Sequence, residues 1–423
     1  MRAIVYPAKL SGSQVAPASK SSMQRACAAA LLHHGQTNIF NPGHSNDDLA
    51  ALEVIQNLGA IVSKHADHIH ISSKGVIPIG SSMNCGESGL GIRMFTPIAS
   101  LSQQKILIEG KGSLVKRPMH FFDEILPRLG VQIKSNNGYL PISIQGPLKT
   151  ADITVDGSLS SQFLTGLLMA FAAAGAANQT IKVNQLKSKP YIDLTLAVLK
   201  HFGWEVNHVN HEEFSFKDRS SVKDTIEYTV EGDWSGAAFL LVAGAIAGPI
   251  TVKGLQMDST QADKAVMQAL TAANAAIQIE QDTITIGAGL NGLQSFEFDA
   301  TDCPDLFPPL VALASMCKGV SIIKGVERLA HKESDRGLTL QTEFAKLGVT
   351  ILLDGDIMKI EGVDQIKANT VFSQHDHRIA MACGVAALRA TGPIEITEAE
   401  AINKSYTDFF DHLQHLGAKV DIQ

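Results

Sequence analysis

Two kinds of hydrophobic segment alternate along the chain. One is an amphipathic stretch that ends in Leu-Gly or a close variant and passes into a β-branched run. It occurs as NLGAIV at Gly59, RLGVQI at Gly130, HFGWEV at Gly203, KLGVTI at Gly348 and HLGAKV at Gly417, with Asn274 of AANAAI in the equivalent place. Glycine and asparagine both accept the left-handed conformation that closes a helix. These marks lie 69–74 residues apart, so the spacing predicts six copies of one unit. The other kind is apolar on every side and follows a polar head: KSSMQRACAAALL, ESGLGIRMFTPIASL, SSQFLTGLLMAFAAA, WSGAAFLLVAGAI, PDLFPPLVALASM and DHRIAMACGVAAL. Helices of that kind belong inside a core.

Each unit therefore holds one buried helix, one amphipathic helix and short strands, a mixed α/β (α+β) chain. VQIKSNNGYLPISI and VTILLDGDIMKI predict hairpins turning at Asn137-Gly138 and Asp354-Gly355. The last copy ends at VDIQ with no return strand, while RAIVY at the start of the chain is spare. The N-terminal strand is expected to complete the last copy. That divides the chain into a lobe of 1–13 plus 233–423 and a lobe of 14–232, with crossings at SGSQ (11–14) and EGDWSG (231–236).

Composition narrows the function. Hydrophobic residues make up 45% of 423 and charged residues 18%, with a formal net charge of −7. That balance argues against a non-specific nucleic-acid binder. Five dispersed cysteines with no CxxC predict free thiols in a reducing compartment. MRAIVYPAKL has no long apolar core and is expected not to be a secretory leader. The longest apolar run, 236–250, contains Pro249 and is too short to cross a bilayer. A cytoplasmic protein without a membrane partner is expected.

Against that acidic background the cations are misplaced. Lys20 and Arg25 stand among Ser19, Ser21 and Ser22. Arg93 follows GESGLGI, Arg117 lies in VKRPMH, Lys332 and Arg336 lie in HKESDRG, Arg378 lies in DHR and Lys404 in NKSYTD. These are predicted helix starts, where the macrodipole disfavours positive charge. Parallel helices with their N-termini at one end of each lobe would form an anion trap. A substrate with several negative charges is implied. Two acids stand in this company: Asp305 suits proton transfer or an N-cap, and Glu333 proton transfer or a salt bridge to Lys332 or Arg336.

The blocks SKSSMQR, VDGSLSSQFLTGLLM, SKPYIDLTL, VEGDWS, KESDR, DHRIAM and NKSYTDFF, in this order, resemble the 5-enolpyruvylshikimate-3-phosphate synthase family. The resemblance implies an inverse α/β barrel of two lobes, each of three βαβαββ units with pseudo-threefold symmetry, and an active site in the cleft between them. It implies enolpyruvyl transfer from phosphoenolpyruvate to the 5-hydroxyl of shikimate 3-phosphate, by addition and elimination, with no metal or other cofactor. It assigns Lys20, Ser21 and Arg25 to substrate binding, with Lys20 reaching both substrates as part of the catalytic set. Ser160, Ser161, Gln162, Ser188 and Tyr191 fall to the shikimate 3-phosphate site, with Lys332 beside it. Gly89, Arg117, Arg336, Arg378 and Lys404 fall to phosphoenolpyruvate, and Arg93, retained in the same block as Gly89, to substrate binding. Asp305 is the implied acceptor of the hydroxyl proton and Glu333 the group that protonates the methylene carbon.

The chain departs from the family pattern at Glu87 and Met94, and Arg328 stands where asparagine is common. The related UDP-N-acetylglucosamine enolpyruvyl transferases carry a cysteine where this chain has Gly112. A non-catalytic anion-binding protein is the rival of another class. The histidines His65, His68 and His70 lack the spacing of a familiar zinc site and are expected to line one exposed strand face. His377 lies near the expected cleft. One chain supplies every expected residue, so a monomer suffices.

Overall fold

A computed structural model describes residues 1–158, 160–330 and 332–423. In chain order its α-helices are α1 (Lys20–Leu32), α2 (Asn46–Asn57), α3 (Gly89–Ala99), α4 (His120–Arg128), α5 (Ser161–Ala173), α6 (Lys189–His201), α7 (Trp234–Ala247), α8 (Val266–Ala272), α9 (Phe307–Ala314), α10 (Arg336–Lys346), α11 (His377–Ala387) and α12 (Phe409–His415). The odd-numbered helices are the apolar ones. All of α7 is buried, Phe239, Leu240, Leu241 and Val242 included; each such side chain contributes roughly 1.5–3 kcal/mol when it leaves water. The even-numbered helices bury one face only. In α4 that face is Phe122, Ile125 and Leu126, and α2 begins with a capping box between Ser45 and Asp48.

The six marks behave as the spacing predicts. Gly59, Gly130, Gly203, Asn274, Gly348 and Gly417 all have positive φ, from 63° to 109°. Each follows the C-cap of an even-numbered helix.

The chain divides into two compact units, one of Met1–Ser19 with Glu231–Gln423 and one of Lys20–Val230. In the second unit α1, α3 and α5 pack on one another, and three four-stranded sheets cover them. One βαβαββ copy shows the plan: strand Ser82–Asn84, α3, strand Lys105–Glu109, α4, and the hairpin Gln132–Asn136 with Tyr139–Gln145. The first two strands pair in parallel and the others antiparallel. Leu140, Ile142 and Ile144 point inward in alternation. In the first unit α7, α9 and α11 pack in the same way under three further sheets.

The N-terminal strand Arg2–Val5 lies between Ile394–Thr397 and Val420–Ile422 and completes the last copy. Two other closing strands were not foreseen in the sequence. Ser13–Val15, read as a linker from SGSQ, is a strand parallel to Ile250–Lys253. That pairing keeps the chain in the first unit as far as Ser19 rather than residue 13. Likewise Thr225–Thr229 pairs in parallel with Gly35–Phe40 and closes the first copy. The turn at Asn137-Gly138 has φ of 52° and 77°. The other hairpin turns one residue later than predicted, at Gly355-Asp356, because Asp354 pairs directly with Ile357.

Candidate active site

In the unit Lys20–Val230 the heads of three helices meet. Ser88 caps α3, accepting from Gly91 N–H at 3.0 Å, and donates to Gln24 Oε1 of α1 at 3.0 Å. Arg93 of α3 donates to Gln162 Oε1 of α5 at 2.8 Å and lies 5.0 Å from the Phe163 ring. Ser160 caps α5 and Ser161 opens it. Lys20, the first residue of α1, pairs with Asp47 Oδ2 at 3.0 Å, so Ser21 begins the same turn.

Arg25 lies one turn further in and is 1% exposed. It donates to Thr195 Oγ1 at 2.9 Å, to Ser21 O at 2.9 Å and to Tyr191 O at 3.2 Å. Burial lowers its pKa to about 10. Its contacts tie α1 to α6, the helix that carries Tyr191 and starts after Ser188. Ser188 itself is left-handed, φ 56°, a conformation that a serine holds only under constraint from its surroundings.

Gly89 opens α3 directly against two guanidinium groups. A Cβ there would stand 2.5 Å from Arg117 Nη1 and 3.4 Å from Arg93 Nη1. The Gly89→Ala variant is therefore expected to fold normally, because the arginine tip can give way, and to bind its anionic ligand more weakly. About tenfold is the loss that one displaced charge-assisted hydrogen bond produces. Calorimetric titration with inorganic phosphate beside a thermal melt checks both halves.

In the unit Met1–Ser19 with Glu231–Gln423 one guanidinium organises the acids. Arg336, 1% exposed, donates to Asp376 Oδ2 at 2.8 Å, to Asp305 Oδ1 at 2.6 Å and to Glu333 Oε2. Asp305 also accepts from Lys332 at 3.1 Å and from Arg378 at 3.1 Å. Burial alone would raise the Asp305 carboxyl. Arg378, Lys332 and Arg336 outweigh it and hold the group well below the usual carboxylate range. Burial lowers the Lys332 ammonium. Lys404 donates to His375 O at 2.6 Å. Arg328 is half-buried, within the fields of Asp302 and Asp305, and His377 is buried at the start of α11.

Not every cation heads a helix. Arg117 follows the 3-10 segment Gly112–Lys116, and α4 begins only at His120. Lys404 ends the 3-10 segment Ala399–Lys404, well before α12. Pro118 and the NKSYTD turn delay both helices. Lys20, Arg336 and Arg378 do lie in first turns. Sequence reasoning missed Asp47 as the partner of Lys20 and Asp263 altogether. Asp263 is fully buried and accepts from Ser235 Oγ at the head of α7. Burial, then the Asp305 charge, raises its pKa to about 6. QADKA carries no signal that would set it apart from any exposed acid.

Residues 4–413 match the family model described as EPSP synthase (3-phosphoshikimate 1-carboxyvinyltransferase). The chain belongs to the EPSP synthase family. It is 36% identical over 420 residues to the 3-phosphoshikimate 1-carboxyvinyltransferase of Clostridium botulinum (strain Alaska E43 / Type E3), covering 98% of this chain and 96% of that one. It is 35% identical over 429 residues to the same-named protein of Clostridioides difficile (strain 630), covering 99% and 98%. Among solved structures it superposes on EPSP synthase from Acinetobacter baumannii with a TM-score of 0.81 at 24% identity, covering all of both chains. It superposes on the enolpyruvyl transferase NikO from Streptomyces tendae with a TM-score of 0.79 at 17% identity, covering 99% and 98%. These likenesses give the fold: the two-lobe inverse α/β barrel.

Glu87, a departure from the family pattern, has a local role. Its carboxylate accepts from Ser113 N–H at 3.3 Å and occupies the space above Gly112. Gly112 has φ of 58°, and a Cβ there would collide with Glu87 Oε2. A side chain at residue 112, such as the cysteine of the UDP-N-acetylglucosamine enzymes, would be strained by that positive φ and would have to displace the Glu87 carboxylate. Rather than lining one exposed strand face with His65, which lies before the strand, His68 and His70 are half-buried in alternation with buried Ile69 and Ile71, and His70 Nδ1 is 2.8 Å from Asn38 Oδ1.

Proposed function

We propose that this chain transfers the enolpyruvyl group of phosphoenolpyruvate to the 5-hydroxyl of shikimate 3-phosphate and releases phosphate. The observation that carries the reading is Asp305 held by Lys332, Arg336 and Arg378, in a chain of this family. Ser160, Ser161, Gln162, Ser188 and Tyr191 hold shikimate 3-phosphate, with Lys20 and Arg25. Arg93, Arg117, Arg336, Arg378 and Lys404 hold phosphoenolpyruvate. Glu333 protonates the methylene carbon, the 5-hydroxyl oxygen bonds to the adjacent carbon, and Asp305 accepts the hydroxyl proton. Loss of phosphate and of a methyl proton then restores the double bond. The reaction belongs in the cytoplasm, and a monomer contains every group it needs.

A carboxylate gripped by three cations is a poor base. Substrate anions solve this, because their carboxylate and phosphate draw Arg336 and Arg378 away from Asp305 and raise its proton affinity. In the free protein Asp305 stays ionised to below its ordinary value of 3.8. The acid limb of kcat is therefore expected at higher pH than that of kcat/KM, by roughly one unit or more. Coincident limbs would count against this activation. The function itself is tested by phosphate release, which should require both substrates together. Release with UDP-N-acetylglucosamine in place of shikimate 3-phosphate, or with neither acceptor, overturns the assignment.

A further inference from the structure

Helix α6 and the hairpin Val206–Val209 with Glu213–Phe216 bring together three side chains that anion binding does not use. Asp193 lies on α6, His208 on the first strand of the hairpin, and His211 in its turn. The Asp193 Oδ1 is 2.6 Å from His211 Nε2. The imidazoles of His208 and His211 face one another, with centroids 4.0 Å apart and planes at 32°. One ligand atom from each of the three lies within 4.8 Å of the others, and among the described residues no other histidine, cysteine or acid group does this.

We propose that Asp193, His208 and His211 form a surface site for a divalent transition-metal ion of the zinc class. Two imidazoles and a carboxylate are a donor set that such ions accept, with water filling the remaining position. The ion takes the place of the proton shared by His211 and Asp193. Those two atoms must spread to roughly 3.4 Å, the edge of a tetrahedron with ligands at 2.0–2.2 Å. His208 is exposed and turns about its ring axis to offer its unprotonated nitrogen, giving up the 3.1 Å hydrogen bond its Nδ1 accepts from His211 N–H. Burial, with the neighbouring His211, lowers the His208 pKa, which favours the neutral ring a metal needs. A bound ion staples the hairpin to the outer side of α6.

The bland alternative is an ion pair of Asp193 with His211, in which His208 has no part. Calorimetric titration of the metal-free full chain with zinc sulfate at about pH 7.5 separates the two. One saturable equivalent is expected, weakened roughly tenfold or more by His208→Ala and by Asp193→Asn. His68→Gln, in the other histidine-rich hairpin, should leave it unchanged. Cobalt(II) should give the visible absorption of a four-coordinate site in the parent chain and not in His208→Ala. Absence of saturable binding, or binding that survives both His208→Ala and Asp193→Asn, overturns the proposal. His208 is exposed, so His208→Ala does not threaten the fold.

Discussion

Replacing Arg336 by methionine is expected to destabilise the protein by about 3–5 kcal/mol, the loss that follows when one partner of a buried ionic cluster is removed. The guanidinium is 1% exposed and donates to three carboxylates, those of Asp305, Glu333 and Asp376. Without it these acids face one another in a poorly solvated space. Asp376 is fully buried and also caps α11, so it cannot swing into water without opening that helix. Arg336→Lys should lose part of this only: an ammonium keeps the charge but lacks the planar fork that reaches three acids at once. Denaturant unfolding measures both variants. The loss should change little between low and high salt, because the cluster is screened weakly. A Met variant within about 1 kcal/mol of the parent would show that the acids are held by other means.

Asp305→Asn should lower kcat by roughly 10²- to 10⁴-fold, the usual worth of a positioned general base. KM for phosphoenolpyruvate should not rise. The substitution removes a negative charge from among Lys332, Arg336 and Arg378, which frees those cations for the substrate. A structural role alone would predict the reverse, a lower stability with kcat nearly intact. The stability effect has a defined sign. The Asp305 carboxyl is held below its ordinary value of 3.8, so its contribution is present above that pH and is lost as pH falls through the folded value. The Asn variant should therefore lose less stability than the parent on acidification below about pH 4. Near-normal turnover in Asp305→Asn sinks the role assigned to this residue.

Much of the architecture was legible because it is periodic. The six marks needed left-handed backbone, and only glycine and asparagine were there to supply it. The apolar helices α1, α3, α5, α7, α9 and α11 could be buried only inside a lobe. The blocks SKSSMQR, KESDR and DHRIAM placed Lys20, Arg336 and Arg378 at helix starts. The closing strands were less visible. Arg2–Val5 could be matched to a gap in the last copy. Ser13–Val15 is three residues long with no alternation, and such a segment becomes a strand only when Ile250–Lys253 offers it an edge.

The sequence by itself determined the sixfold repeat, the two mixed α/β halves, the surplus of cations in its polar blocks and the presence of two candidate acids. Tertiary structure alone decided who pairs with whom. Asp47 with Lys20, Asp376 with Arg336, Asp263 beneath Ser235, and Asp193 with His208 and His211 are separated in the chain by distances that no local pattern spans. The reason is physical: a helix or a turn is encoded by neighbours, whereas the charge state of an acid is set by burial and by whichever cation the fold brings beside it.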